Sequence, residues 1–136
     1  MIHVLCGETG TGKSKKIIDM ANASIKDAKG TIVFIASGNQ YMYDLKRDIR
    51  HIDADEYHIE GPKMFFGFLS GIAAQDFDLE YLYIDNFLSI VQHPLDSLEG
   101  LFKDMEDFSK RANIKLFISA SSDTAETPAF LLPYMA

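Results

Sequence analysis

Short unbroken apolar runs alternate with helix-period segments along this sequence, a pattern that predicts a parallel sheet covered by helices. The first run, "IHVLC" (2–6), is rich in β-branched residues and reads as a buried strand. After it, Ile17, Ile18, Ala21, Ile25 and Ala28 recur near helical spacing, with Gly30 as a stop signal. "TIVFIAS" (31–37) predicts a second buried strand, "EYHI" (56–59) a short one, "LEYLYID" (79–85) one that ends in an acid, and "IKLFISA" (114–120) the last. The expected fold is α/β, with three α/β/α layers around a mainly parallel sheet of about five strands.

Between the strands the pattern changes period. Pro62 suits the first turn of a helix whose apolar face is Met64, Phe65, Phe68, Leu69 and Ile72. Gly67 and Gly71 lie four apart on it, and close packing against the sheet is their expected role. Pro94 is expected to open the clearest helix, with Leu95, Leu98, Leu101, Phe102, Met105 and Phe108 on one side. Lys110 and Arg111 close it, where the helix dipole favours cations. Residues 41–50 are ambiguous: Met42, Leu45 and Ile49 fit a helix loosely, and on such a helix Lys46 and Arg50 would be neighbours on a solvated face. The tail from Ser121 is broken by Pro128 and Pro133, and its apolar residues predict docking on the domain.

Composition narrows the setting. A chain of 136 residues suits one domain, read as 1–136. The net charge of −7 disfavours nucleic acid and anionic membranes as partners. No apolar stretch is long enough to span a bilayer. The N-terminal residues carry neither a basic n-region nor a small-residue cleavage site, so a cytoplasmic location is the expectation. Cys6 is the single cysteine, and His3, His51, His58 and His93 show no metal-ligand spacing.

The chemistry concentrates in "GETGTGKS", residues 7–14, which fits G-x-x-x-x-G-K-[ST] and lies between a predicted strand and a predicted helix. Backbone N–H groups from about Gly10 to Ser14 would converge on phosphate oxygens, helped by the positive end of the following helix. Gly7, Glu8, Thr9, Gly10, Thr11, Gly12, Lys13, Ser14 and the adjoining Lys15 are the expected nucleotide-binding residues. Lys13 would bridge the β- and γ-phosphates, and the Ser14 hydroxyl would ligate Mg²⁺. Such a loop calls for an acid at the end of a second buried strand, and Asp85 in "YLYIDNF" meets that description.

Through "GETGTGKS" as Walker A and "YLYID" as Walker B, the sequence resembles the P-loop NTPases, most closely the RecA- and helicase-like (ASCE-type) branch. It is also similar to small bacterial P-loop ATP-binding proteins of about this length. The resemblance implies that the strand after Walker B inserts between the Walker A and Walker B strands. Ser119, Ser121 or Ser122 would then lie near the γ-phosphate as a polar sensor.

Two departures shape the functional expectation. Many members of the branch place a Glu directly after the Walker B Asp, and here that position is Asn86. An amide can hold a water but cannot take its proton, so hydrolysis should be slow unless Glu8 or Asp123 serves. No motif marks an arginine finger among Arg47, Arg50 and Arg111. The guanine-reading N-K-x-D segment is absent, which favours ATP, and Tyr41 or Tyr43 is available to stack on adenine. The expected cofactors are ATP and Mg²⁺, with Lys13, Asp85, Glu8 and Asn86 as the catalytic set and Ser14 and Asp85 at the metal. The expected activity is weak ATP hydrolysis that changes the conformation or assembly of a protein partner or homo-oligomer. The alternatives are a small-molecule or nucleoside kinase, for which an Arg-rich lid is missing, and a subunit of an oligomeric nucleic-acid motor.

Overall fold

The computed structural model describes residues 1–8, 10–122 and 127–135. Five strands form one sheet: β1 (Ile2–Gly7), β2 (Thr31–Ala36), β3 (Ile49–Asp53), β4 (Leu79–Ile84) and β5 (Lys115–Ser121). All neighbours are parallel, in the order β1-β5-β4-β2-β3. The last strand therefore lies between the first and the fourth, as the resemblance implied. The helices are α1 (Lys13–Ser24), α2 (Pro62–Ala74), α3 (Phe87–Val91) and α4 (Glu99–Ala112). None is long and apolar enough to cross a membrane.

Because strand side chains alternate, the sheet feeds two separate cores. On one face α1 sets Ile17, Ile18 and Ala21 against Ile32, Phe34, Tyr81 and Tyr83. An aromatic row crosses the strands there, with Tyr83 stacked on Phe117 at 4.8 Å. On the other face Val33, Ile35, Leu82, Ile84 and Ile118 meet Phe65 and Leu69 of α2, Phe87 of α3 and Phe102 and Met105 of α4. The result is three layers, with one helix on one side and three on the other.

The tail docks as its apolar residues predict. Residues Ala129–Tyr134 form a 3-10 turn whose Leu131 is fully buried, while Phe130 and Tyr134 pack on Phe102. The Tyr134 hydroxyl donates to the Glu106 carboxylate. Burial, and then that carboxylate, push its pKa up to about 12.

Four expectations are corrected. The third strand is Ile49–Asp53, whereas 54–57 is a 3-10 turn in which the Asp53 carboxylate accepts the Asp55 N–H. As an edge strand it tolerates Arg50, His51 and Asp53, so no continuous apolar run announces it. Lys46 and Arg50 consequently share no helix. Pro94 is extended and precedes the short turn Leu95–Ser97, and α4 starts only at Glu99. The predicted first helix stops at Ser24, short of Ile25 and Ala28.

The glycines of α2 are the fourth correction. A Cβ on Gly67 or Gly71 would meet nothing within 4 Å, so neither residue serves packing against the sheet. Gly30 does need its missing side chain, since a Cβ there would stand 2.0 Å from the Asp78 carbonyl oxygen. That carbonyl accepts the Thr31 N–H at 2.7 Å, and the Glu80 carboxylate accepts the N–H groups of Lys29 and Gly30.

Two stability measurements follow. Gly30→Ala should cost about 2 kcal/mol or more in urea denaturation, while Gly71→Ala should gain about 0.5–1 kcal/mol of helix stability. Burial lowers the pKa of His51 on β3, against the Asp53 carboxylate, which raises it, and its Nε2 is buried without a hydrogen-bond partner. A lowered histidine pKa means that the unfolded chain takes up the proton first. Stability should therefore fall as pH drops below about 6.5 and level off once the folded-state pKa is passed. His51→Phe should flatten that part of the profile.

Candidate functional site

The loop between β1 and α1 makes its turns with glycine. Gly10 and Gly12 have φ of +87° and +81°, and a Cβ at either would be strained although space is free around it. Gly12 is also the N-cap of α1, so the loop runs straight into the helix start with no side-chain cap. Gly7 ends β1, and its carbonyl accepts the Ser122 N–H at 2.8 Å, which ties the loop to the end of β5.

The basic group of the loop is held inside it. Lys13 Nζ donates to the Glu8 carbonyl at 2.6 Å and to Thr11 Oγ1 at 3.3 Å, and the Thr11 hydroxyl donates to the same carbonyl. Glu8 thus contributes its backbone to the loop, and the residue itself is exposed. Lys15 is exposed on the first turn of α1. Thr9 lies outside the described residues, as does Asp123, one of the two alternative carboxylates.

Asp85 follows β4 at the carboxyl edge of the sheet and is 4% exposed. Burying a carboxylate requires donors, and two serines supply them. Ser14 donates to Oδ2 at 2.9 Å and Ser119 donates to Oδ1 at 2.5 Å. The Ser119 Oγ also accepts the Asn86 N–H at 2.9 Å. The structure thereby separates the three serine candidates. Ser119 is buried against the acid, Ser121 lines the adjoining cavity, and Ser122 makes the backbone bond to Gly7. The sequence signal for Ser119 lies in the strand register: Ile84 pairs with Ile118, which puts the next residue of each strand side by side.

A cavity of about 390 Å³ opens over this cluster, within the size range of small-molecule sites. It is lined by Gly10, Gly12, Lys13, Ser14 and Lys15 of the loop and first turn of α1, together with Tyr41, Asp85, Asn86, Ser119 and Ser121. Asp85 is the one acid among these lining residues, and no arginine is among them. Tyr41 lines the cavity, whereas Tyr43 is 91% exposed and does not. Arg111 is paired with Asp107 on α4 at 3.0 Å.

Asn86 is exposed, at φ 55° and ψ 49°, as the N-cap of α3. Asparagine tolerates this left-handed region far better than a glutamate would. The backbone is thus a reason for the residue type, independent of any chemistry at the side chain. The donor set fits a phosphate with a divalent cation: an open glycine loop, the Lys13 ammonium group, and the Ser14 hydroxyl already bonded to the Asp85 carboxylate.

Neither the protein-family models nor the curated protein sequences compared with the chain match it. Among solved structures it is similar to the flagellar accessory protein FlaH from Methanocaldococcus jannaschii, with 13% identity and a TM-score of 0.58. The alignment covers 97% of this chain and 65% of that one, so the chain spans a little under two thirds of FlaH. The likeness is one of fold, a parallel α/β sheet with helices on both faces.

The backbone at Asn86 can be tested directly. Asn86→Gly should be nearly neutral in thermal denaturation, while Asn86→Glu should cost about 1 kcal/mol, because glutamate lacks the short polar side chain that eases left-handed geometry. Equal stability of the two variants would mean that the residue type answers to chemistry alone.

Proposed function

We propose that the chain binds ATP with Mg²⁺ at this site and hydrolyses it slowly, and that the bound state alters a protein partner or a homo-oligomer. The reading rests above all on the convergence of the glycine loop with the buried Asp85 through Ser14. A phosphate-loop serine and a strand-end carboxylate 71 residues apart in sequence make one hydrogen bond, the pairing that a metal–triphosphate complex would use.

Each residue then has a task. Lys13 exchanges the Glu8 carbonyl for phosphate oxygens, since a charged acceptor outcompetes a neutral one. Gly10 and Gly12 let backbone N–H groups approach the phosphates without a Cβ in the way. Ser14 and Asp85 would hold Mg²⁺, which when bound supplies positive charge against the phosphate oxygens. Asn86 can orient a water with its amide but cannot accept a proton from it. With Asp85 engaged by the two serines and no second acid lining the cavity among the described residues, slow turnover follows. The absence of arginine from the same lining disfavours a kinase that must neutralise donor and acceptor phosphates together.

Phosphate release from MgATP, with nucleotide binding measured separately, tests the reading. Lys13→Ala should weaken ATP binding at least about tenfold and abolish turnover. Asp85→Asn should leave binding without Mg²⁺ close to wild type and remove its Mg²⁺ dependence. Asn86→Asp, which keeps a residue tolerant of the left-handed backbone, should raise turnover with little change in affinity. ATP affinity unchanged in Lys13→Ala would sink the site assignment, and stimulation of turnover by DNA or RNA would favour the motor reading.

A further inference from the structure

The sheet has a second crevice at its carboxyl edge. The chain leaves β2 toward β3 and leaves β4 toward β5, in opposite directions, and in parallel sheets such a divergence is where ligands enter. A cavity of about 230 Å³ lies between the residues that follow β3 and helix α3, which follows β4. It shares no lining residue with the cavity over Asp85. Asn86, at the start of α3, lines that one, and Ser89 and Gln92 line this one.

The lining combines buried apolar residues, Ala54, Ile59 and Ile90, with the exposed polar residues Asp55, His58, Ser89 and Gln92. Two of the polar side chains are fixed by bonds that leave an acceptor open. Ser37 donates to Oδ1 of Asp55 at 3.0 Å, and Oδ2 has no partner among the described residues. Gln92 is anchored through Nε2 on the Ile59 carbonyl at 2.7 Å, which leaves its amide oxygen to accept. The Ser89 hydroxyl and the His58 ring make no hydrogen bond among the described residues. His58 is also left-handed, at φ 52°, a conformation that its surroundings must hold in place and that concentrates at functional sites. A few convergent polar groups set against apolar ones are the makeup of a small-molecule site.

The same lining selects the charge of the ligand. Asp55 brings a carboxylate, no lysine or arginine is among the described lining residues, and the chain carries −7, so an anion is repelled and a cation attracted. An ammonium group satisfies Asp55 Oδ2 with a charge-assisted bond. Gln92 and Ser89 then suit a hydroxyl group, and the apolar residues suit the methylenes between the two ends. The volume lies below the roughly 300–1,000 Å³ of sites for larger ligands, which keeps the molecule short.

We propose that this cavity is a second ligand site, for a short aliphatic amine that carries a hydroxyl group. The proposal goes beyond the nucleotide reading and uses none of the residues of that site.

Backbone amide chemical shifts of the full chain, followed without nucleotide, test it. The probe is aminobutanol, with butanediol as its neutral analogue and hydroxybutyrate as its anionic one, all with their polar groups at the two chain ends. Aminobutanol should cause saturable shifts centred on Asp55, His58 and Ser89, with a Kd of about 1 mM. The two analogues should bind at least about tenfold more weakly. Asp55→Asn, which keeps an acceptor for the Ser37 hydroxyl, should cost about tenfold in affinity, while Glu56→Gln, outside the lining, should change it less than about twofold. Ser89→Phe, at an exposed position of α3, should block binding by occupying the cavity. No saturable shift by about 20 mM, an equal response to butanediol, or binding that survives Ser89→Phe would overturn the site. Equal losses in Asp55→Asn and Glu56→Gln would also overturn it, since they would mean attraction to an acidic surface alone.

Discussion

A buried carboxylate needs its charge answered, and at Asp85 that need joins most of the molecule's parts. The side chain takes one hydroxyl from the first turn of α1 and one from β5, while its own N–H donates to the Ile35 carbonyl at the end of β2. Without those donors the acid would be a costly group in the interior. The strand order is what makes them available. Because β5 enters between β1 and β4, Ser119 stands beside Asp85 and the end of β5 reaches the loop at Gly7. In the proposed reading a cation brought in with a phosphate would compete for the same oxygens, so the bonds that hold this cluster together are also the ones such a ligand would rearrange.

How much of this could be read from the sequence depended on how local the cause was. The glycine loop and the acid at the end of "YLYID" are motifs contained within a few residues, and β1, β2, β4 and β5 are each carried by a short apolar run. Edge strand β3 escaped because a strand with one neighbour can carry Arg50, His51 and Asp53. The five residues of α3 are too few to show a period, and their apolar character belongs as readily to a strand. Pro94 has the residue type of a helix start, but its extended backbone leads into a 3-10 turn. Ser119 needed the register between β4 and β5, which no single segment contains. The glycines of α2 were misread for a similar reason, since only the assembled fold tells which side of a helix faces out.

Asn86 shows why a departure from a family pattern has more than one physical meaning. Its amide cannot serve as a base, which bears on the proposed slow turnover. Its left-handed backbone also favours asparagine whatever the chemistry, and Gln92 at the other end of α3 is left-handed too, at φ 60°. Two such residues bracket a five-residue helix, so α3 is set at both ends by conformations that the surrounding packing must hold in place. The Gln92 side chain helps to do this by donating from Nε2 to the Ile59 carbonyl at 2.7 Å.

That bracketed helix also connects the cavity with α2. Asn86 lines the cavity, and the next residue, Phe87, is fully buried and meets Phe65 of α2 edge-on at 5.3 Å. Phe65 is on the inner side of the helix whose outer side carries Gly67 and Gly71. A rearrangement at Asp85 that disturbed the Ser119 bond to the Asn86 N–H would act first on the start of α3 and then on this aromatic contact. Contact alone does not make two sites communicate, because coupling requires an element with two arrangements that both sites bias. Here α3 is short, left-handed at both ends, and tied at its start to Ser119, which also donates to Asp85, so a change at the acid would reach Phe87 and α2 through this segment.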